Sequence, residues 1–97
     1  MIIELQKIGT TLLSRQTGKE ALLAIQPILS GAKEEENIEI DFTGVITFTP
    51  SWGAEFLIPL LKKYGEKLIL KNTQNSSVQA TLELLQQIEK KKFKTIN

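Results

Sequence analysis

Three features of the 97-residue sequence predict an α/β fold, with a mostly parallel central sheet of about four strands and three helices. Ile38, Ile40 and Phe42 alternate with Glu39 and Asp41, the period-2 pattern of a strand with one buried face. Leu68-Ile69-Leu70, bounded by Lys67 and Lys71, is a short continuous apolar run of the kind found in the middle of parallel sheets. Amphipathic stretches at helical spacing alternate with these strands, and right-handed crossovers would lay them on the sheet. The expected order is strand, helix, strand, helix, strand, helix, with a further short strand near the N-terminus. The length fits one domain over residues 1–97 with a single core.

Ile2, Ile3, Leu5 and Ile8 suit a first strand; Gly9 to Thr11 is a bend, and Leu12-Leu13 a second short strand, so residues 1–13 read as a strand or a hairpin. Thr17 with Glu20 three residues on forms a capping box and starts a helix whose apolar stripe is Ala21, Leu22, Ile25, Ile28 and Leu29. Pro27 should kink it or end it near Gln26, with Gly31 past the end. Lys33 to Asn37 is a charged, solvated connection. After the strand Ile38–Phe42, Thr43-Gly44 is a bend, and Val45, Ile46 and Phe48 return to the core. The second helix has two sensible caps: Thr49, which places Pro50 at the first helical position, or Ser51. Its stripe is Trp52, Phe56, Leu60, Leu61 and Tyr64; Pro59 bends it, and Gly65 ends it behind Lys62 and Lys63. Ser76 with Gln79 reads as another capping box, followed by Val78, Leu82, Leu85 and Ile88 or Glu89, with Leu84 widening the stripe. Residues 90–97 are a basic tail, read either as a solvated helix end or as a surface for an acidic partner.

Composition narrows the chemistry. Twelve basic and eleven acidic residues leave a net charge of +1, so no strong field draws the chain toward nucleic acid or membrane. Cysteine and histidine are both absent, which removes thiol chemistry and the side chain most used for acid/base work near neutral pH. No apolar run approaches the roughly 20 residues that span a bilayer, and MIIELQKIG lacks the basic lead of a signal peptide, so a soluble, cytoplasmic protein is expected.

Asp41, Glu39 and Glu55 are the carboxylates nearest the central turn, but period 2 places Asp41 and Glu39 on one strand face, where exposure explains them. Ser51 lacks a nucleophile-elbow sequence and has no histidine to act as its base. Gly44 and Gly53 form no phosphate loop, and the Lys33–Asn37 run is the one dense group of acids, so neither metal nor cofactor is expected. Trp52 is either core or, at a helix's first turn, an anchor for a partner. Glu55 either complements the helix dipole or caps the preceding loop. Arg15, the single arginine, could pair with Asp41 or Glu55 or hold an anion.

The block Ile40 to Leu57, with Ser14-Arg15 before it and the Leu68–Asn72 strand after it, resembles the STAS-like domains, relatives of sulfate-transporter and anti-sigma-factor-antagonist domains. The resemblance rests on Ser14-Arg15, on Ile40-Asp41-Phe42-x-Gly44-Val45 and on Ser51-Trp52-x-x-Glu55, where the family typically carries phenylalanine at the second position. Ala54 replaces an acidic residue often found beside the glutamate. It implies a single compact STAS-like domain that is regulatory rather than catalytic. In the antagonists a serine at this turn is phosphorylated by a histidine-kinase-like ATPase; the best-matching position here is Pro50, flanked by Thr49 and Ser51. The expectation is a non-catalytic module that binds a protein partner, such as an ATPase-type kinase or a regulatory protein, through residues 47–55. Thr49, Ser51, Trp52 and Glu55 would form the surface, with Arg15 and Asp41 in support and phosphorylation at Ser51 or Thr49 as the switch. The alternative is a sensor holding a small anion or nucleotide at the same helix mouth.

Overall fold

The computed structural model describes residues 1–96, leaving Asn97, the last residue of the basic tail, outside the described residues. The chain forms β1 (Ile2–Glu4), β2 (Thr11–Leu12), α1 (Arg15–Leu29), β3 (Ile38–Asp41), β4 (Thr47–Phe48), α2 (Pro50–Tyr64), β5 (Leu68–Lys71), α3 (Ser76–Glu89) and β6 (Lys94–Ile96). One-turn 3-10 helices follow β1 and precede β5. Four strands make one sheet in the order β1-β3-β5-β6, every pair parallel, and β2 and β4 pair in parallel as a separate two-stranded sheet. The mostly parallel sheet of four strands with three helices is therefore present.

Its topology follows from chirality. The order advances in one direction, so each right-handed crossover sets its helix on the same face. Ile3, Ile38, Ile40, Leu68 and Leu70 point from the sheet into a core shared with α1, α2 and α3. Phe42, Phe48, Trp52 and Phe56 run through that core as a chain of ring contacts, 5.2, 5.8 and 4.7 Å between successive centroids. The opposite face carries Ile2, Glu39, Ile69 and Lys71, and Ile69, though buried, stands apart from the core.

Several local expectations are corrected. The N-terminal hairpin does not form, because β1 and β2 each pair in parallel with a later strand in different sheets. The Thr17 capping box is displaced by Ser14, whose Oγ accepts the Thr17 amide at 3.1 Å. The helix runs through Pro27 to Leu29, since Pro27 lies on the exposed side, where water can serve the carbonyl it orphans. The last helix is capped by Asn75, not by Ser76 with Gln79; the Gln79 amide side chain instead donates to the Thr73 carbonyl at 2.6 Å. Ile28, Ile46 and Ile88, read as apolar contacts, are exposed. The basic tail, read as a helix end, turns at Lys90 in the left-handed region and continues as edge strand β6.

Candidate functional site

The turn from β4 into α2 is held on both sides. Toward β2, the amides of Ile46 and Thr49 donate to the carbonyls of Thr10 and Leu12 at 2.8 and 3.1 Å. Toward α3, side chains replace the missing strand: the Phe48 amide donates to Ser77 Oγ at 2.9 Å, and the Phe48 carbonyl accepts from Thr81 Oγ1 at 2.6 Å. Asn75 adds a second tie, its Oδ1 capping the amides of Ser77 and Val78 while its Nδ2 donates to the carbonyls of Val45 and Ile46. The short strand β4 is thus fixed despite its length.

Of the two hydroxyls at the helix mouth, Thr49 is the cap. Its Oγ1 accepts the Trp52 amide at 3.3 Å and donates to the Leu13 carbonyl at 2.6 Å, joining the N-terminus of α2 to that of α1. Pro50 occupies the first helical position, where its missing amide costs no bond. Ser51 is exposed, and its hydroxyl makes no hydrogen bond among the described residues.

The remaining expected residues separate. Arg15, at the first position of α1, donates from Nη1 to Glu55 Oε1 at 3.0 Å across the α1–α2 seam. Ser51 and Glu55 are four residues apart on α2 and share a face, so Arg15, Glu55 and Ser51 are neighbours at one surface. Trp52 is 1% exposed and lies in the core, so the anchor role weighed for it is not available from this position. Asp41 belongs elsewhere. Its Oδ1 accepts from the Thr43 amide, Thr43 Oγ1 and Asn72 Nδ2 at 2.9, 2.7 and 2.8 Å, which closes the loops after β3 and β5. Burial works to raise its pKa, but the hydrogen bonds from Asn72 and Thr43, with the charge of Lys71, hold it below its ordinary value.

Two glycines bring the helices to the turn. A Cβ on Gly18 of α1 would lie 2.7 Å from the Trp52 carbonyl oxygen, and one on Gly53 of α2 would lie 2.8 Å from Leu85 Cδ1 on α3. Sequence reasoning missed Gly18, Asn75, Ser77 and Thr81 as supports. Only Asn75 carried a usable signal, as a strong capping residue directly before Ser76.

Residues 26–78 match the model of a family described as STAS-like domain of unknown function (DUF4325). The chain belongs to this family. The matched segment runs from the end of α1 to the start of α3, so the STAS-like part contains the whole β4–α2 turn. No curated protein and no solved structure gives a significant match to the chain. Among the described residues, no helix is long and apolar enough to cross a membrane, and no group of three acids is arranged to hold a metal ion.

Proposed function

We propose that this STAS-like chain is a non-catalytic regulatory module that binds a protein partner through the Thr47–Glu55 turn, and that phosphate on Ser51 switches the binding. The observation that carries the reading is the division of labour between two hydroxyls. Thr49 is occupied as the cap, whereas Ser51 projects unbonded from the first turn of α2. A phosphate on Ser51 would add nearly two negative charges where the helix dipole favours them. One turn along the same face it would repel Glu55 and compete for Arg15, reorganising the surface a partner meets. The resemblance to anti-sigma-factor antagonists supports a partner of the ATPase-kinase or regulatory class acting in a cytoplasmic setting. An anion or nucleotide sensor at the same helix mouth is the weaker reading, because the single arginine is already committed to Glu55.

The test is affinity capture from source-organism lysate on the immobilised chain, wild type beside Ser51→Glu. Specific retention by the wild type and its loss with Ser51→Glu is the expected outcome. Equal retention by both would place the interface away from this turn. If neither retains a protein, a concentration-dependent rise in melting temperature with a small anion would favour the sensor.

A further inference from the structure

All-parallel sheets are ordinarily covered on both faces, yet here all three helices share the core on one side of the β1-β3-β5-β6 sheet. The register fixes what the other face presents. Across one row lie Ile2, Glu39, Ile69 and Lys94; across the next lie Glu4, Asp41, Lys71 and Ile96. Ile2 and Ile96 are 55% and 44% exposed, whereas Ile69 between them lies outside the core but is only 7% exposed.

The charges on this face are segregated. Glu4, Glu39 and Asp41 stand on β1 and β3, and Lys71 and Lys94 on β5 and β6. Within the chain, Glu4 pairs with the exposed Lys7 at 2.9 Å, and Glu39 and Lys71 approach only to 3.5 Å across the boundary between the two halves. Lys94 makes no ion pair among the described residues. A two-fold axis parallel to the strands and midway between β3 and β5 would set the acidic half of one copy against the basic half of the other, twice over. The strands of the two sheets would then run nearly aligned, as in sheet-on-sheet packing. We infer that this face is the contact surface of a homodimer, with a second copy of the chain as the missing layer. Self-complementary charge selects the second copy, and Ile2 and Ile96 supply the apolar contacts. Four strands at about 4.8 Å make the face about 19 Å wide, smaller than a tight interface needs, so the pair is a weak and salt-sensitive one.

Sedimentation of the full chain between about 1 µM and 1 mM tests this. The average mass should climb with concentration from 10.9 kDa toward twice that value and fall back as salt is raised. Glu4→Lys/Glu39→Lys and Lys71→Glu/Lys94→Glu should each remain monomeric, because each makes the two facing halves alike in sign. An equal mixture of the two variants should recover the dimer. If circular dichroism finds either variant unfolded, the chain carrying all four reversals, which restores the internal Glu39–Lys71 pairing with opposite polarity, should dimerise instead. A wild type monomeric across the range would overturn the proposal. So would a dimer indifferent to these reversals, folded variants that fail to combine, or a folded four-fold variant that stays monomeric.

Discussion

Thr49 and Ser51 sit two residues apart at the mouth of α2 and answer to different forces. Thr49 satisfies one of the helix's orphan amides and donates to the Leu13 carbonyl, while Ser51 meets only solvent. Thr49→Ala should therefore cost about 1–2 kcal/mol, and Ser51→Ala should stay within about 0.5 kcal/mol of wild type, both read by urea unfolding. Asp41 gives a second contrast, in pH. Its folded pKa lies below the ordinary 3.8, so the unfolded chain binds more protons in that interval and stability rises with pH through it. The contribution is present above 3.8 and is lost as pH falls through the folded value. Glu36, lowered chiefly by its hydrogen bond with the N-terminal amine, adds to the same acid limb. Asp41→Asn keeps an acceptor oxygen for Thr43 and Asn72 but not the titration, so its melting temperature should fall less steeply between about pH 5 and pH 2. Equal slopes in the two proteins would remove Asp41 from this account. Both cap candidates were legible in the sequence, because hydroxyls before an apolar stripe announce a helix start. What chose between them was the Leu13 carbonyl, 36 residues away, which no local pattern encodes.

The elements were legible where periodicity was strong and obscure where pairing decided. The alternation Ile38–Phe42 and the run Leu68–Leu70 announced β3 and β5, and the apolar stripes of all three helices were plain. The start of α1 was misplaced because Thr17-x-x-Glu20 matches a capping box, whereas Ser14 caps one turn earlier and lets Gly18 enter the helix interior. That placement has a purpose in packing. Gly18 is buried at the crossing of α1 and α2, against the Trp52 backbone. Gly18→Ala improves intrinsic helix propensity by up to about 1 kcal/mol, yet the added methyl must push the two helices apart. The clash should win, with a net loss of about 1–3 kcal/mol in urea unfolding and a weakened Arg15–Glu55 contact across the same seam. A stabilised Gly18→Ala protein would show that the crossing is looser than this geometry. β6 was invisible because Lys94-Thr95-Ile96 has no alternation long enough to read, and its strand character comes from pairing with β5.

The whole molecule has a Cα radius of gyration of 12.1 Å, against about 12.5 Å for a folded chain of this length, so its elements form one compact body. Within it the β4–α2 turn is rigidly strapped by β2 and α3, and its outer surface is left to Arg15, Ser51 and Glu55. The sequence located this strand-to-helix turn, with Thr49 and Pro50 at the helix start, where the fold places it. It did not separate the buried Trp52 from the exposed Ser51, because helical spacing places an aromatic on a face without saying how deep that face lies. Nor did it join Asp41 to Asn72, whose contact spans two loops. The central claim, that a partner meets this surface, is tested most directly by installing a photo-crosslinking side chain at position 51 and, as a control, at Leu23, which is 70% exposed on α1. Illumination in lysate should give a discrete protein adduct from position 51 and none from position 23. Adducts of the same pattern from both positions, or from position 23 alone, would contradict it.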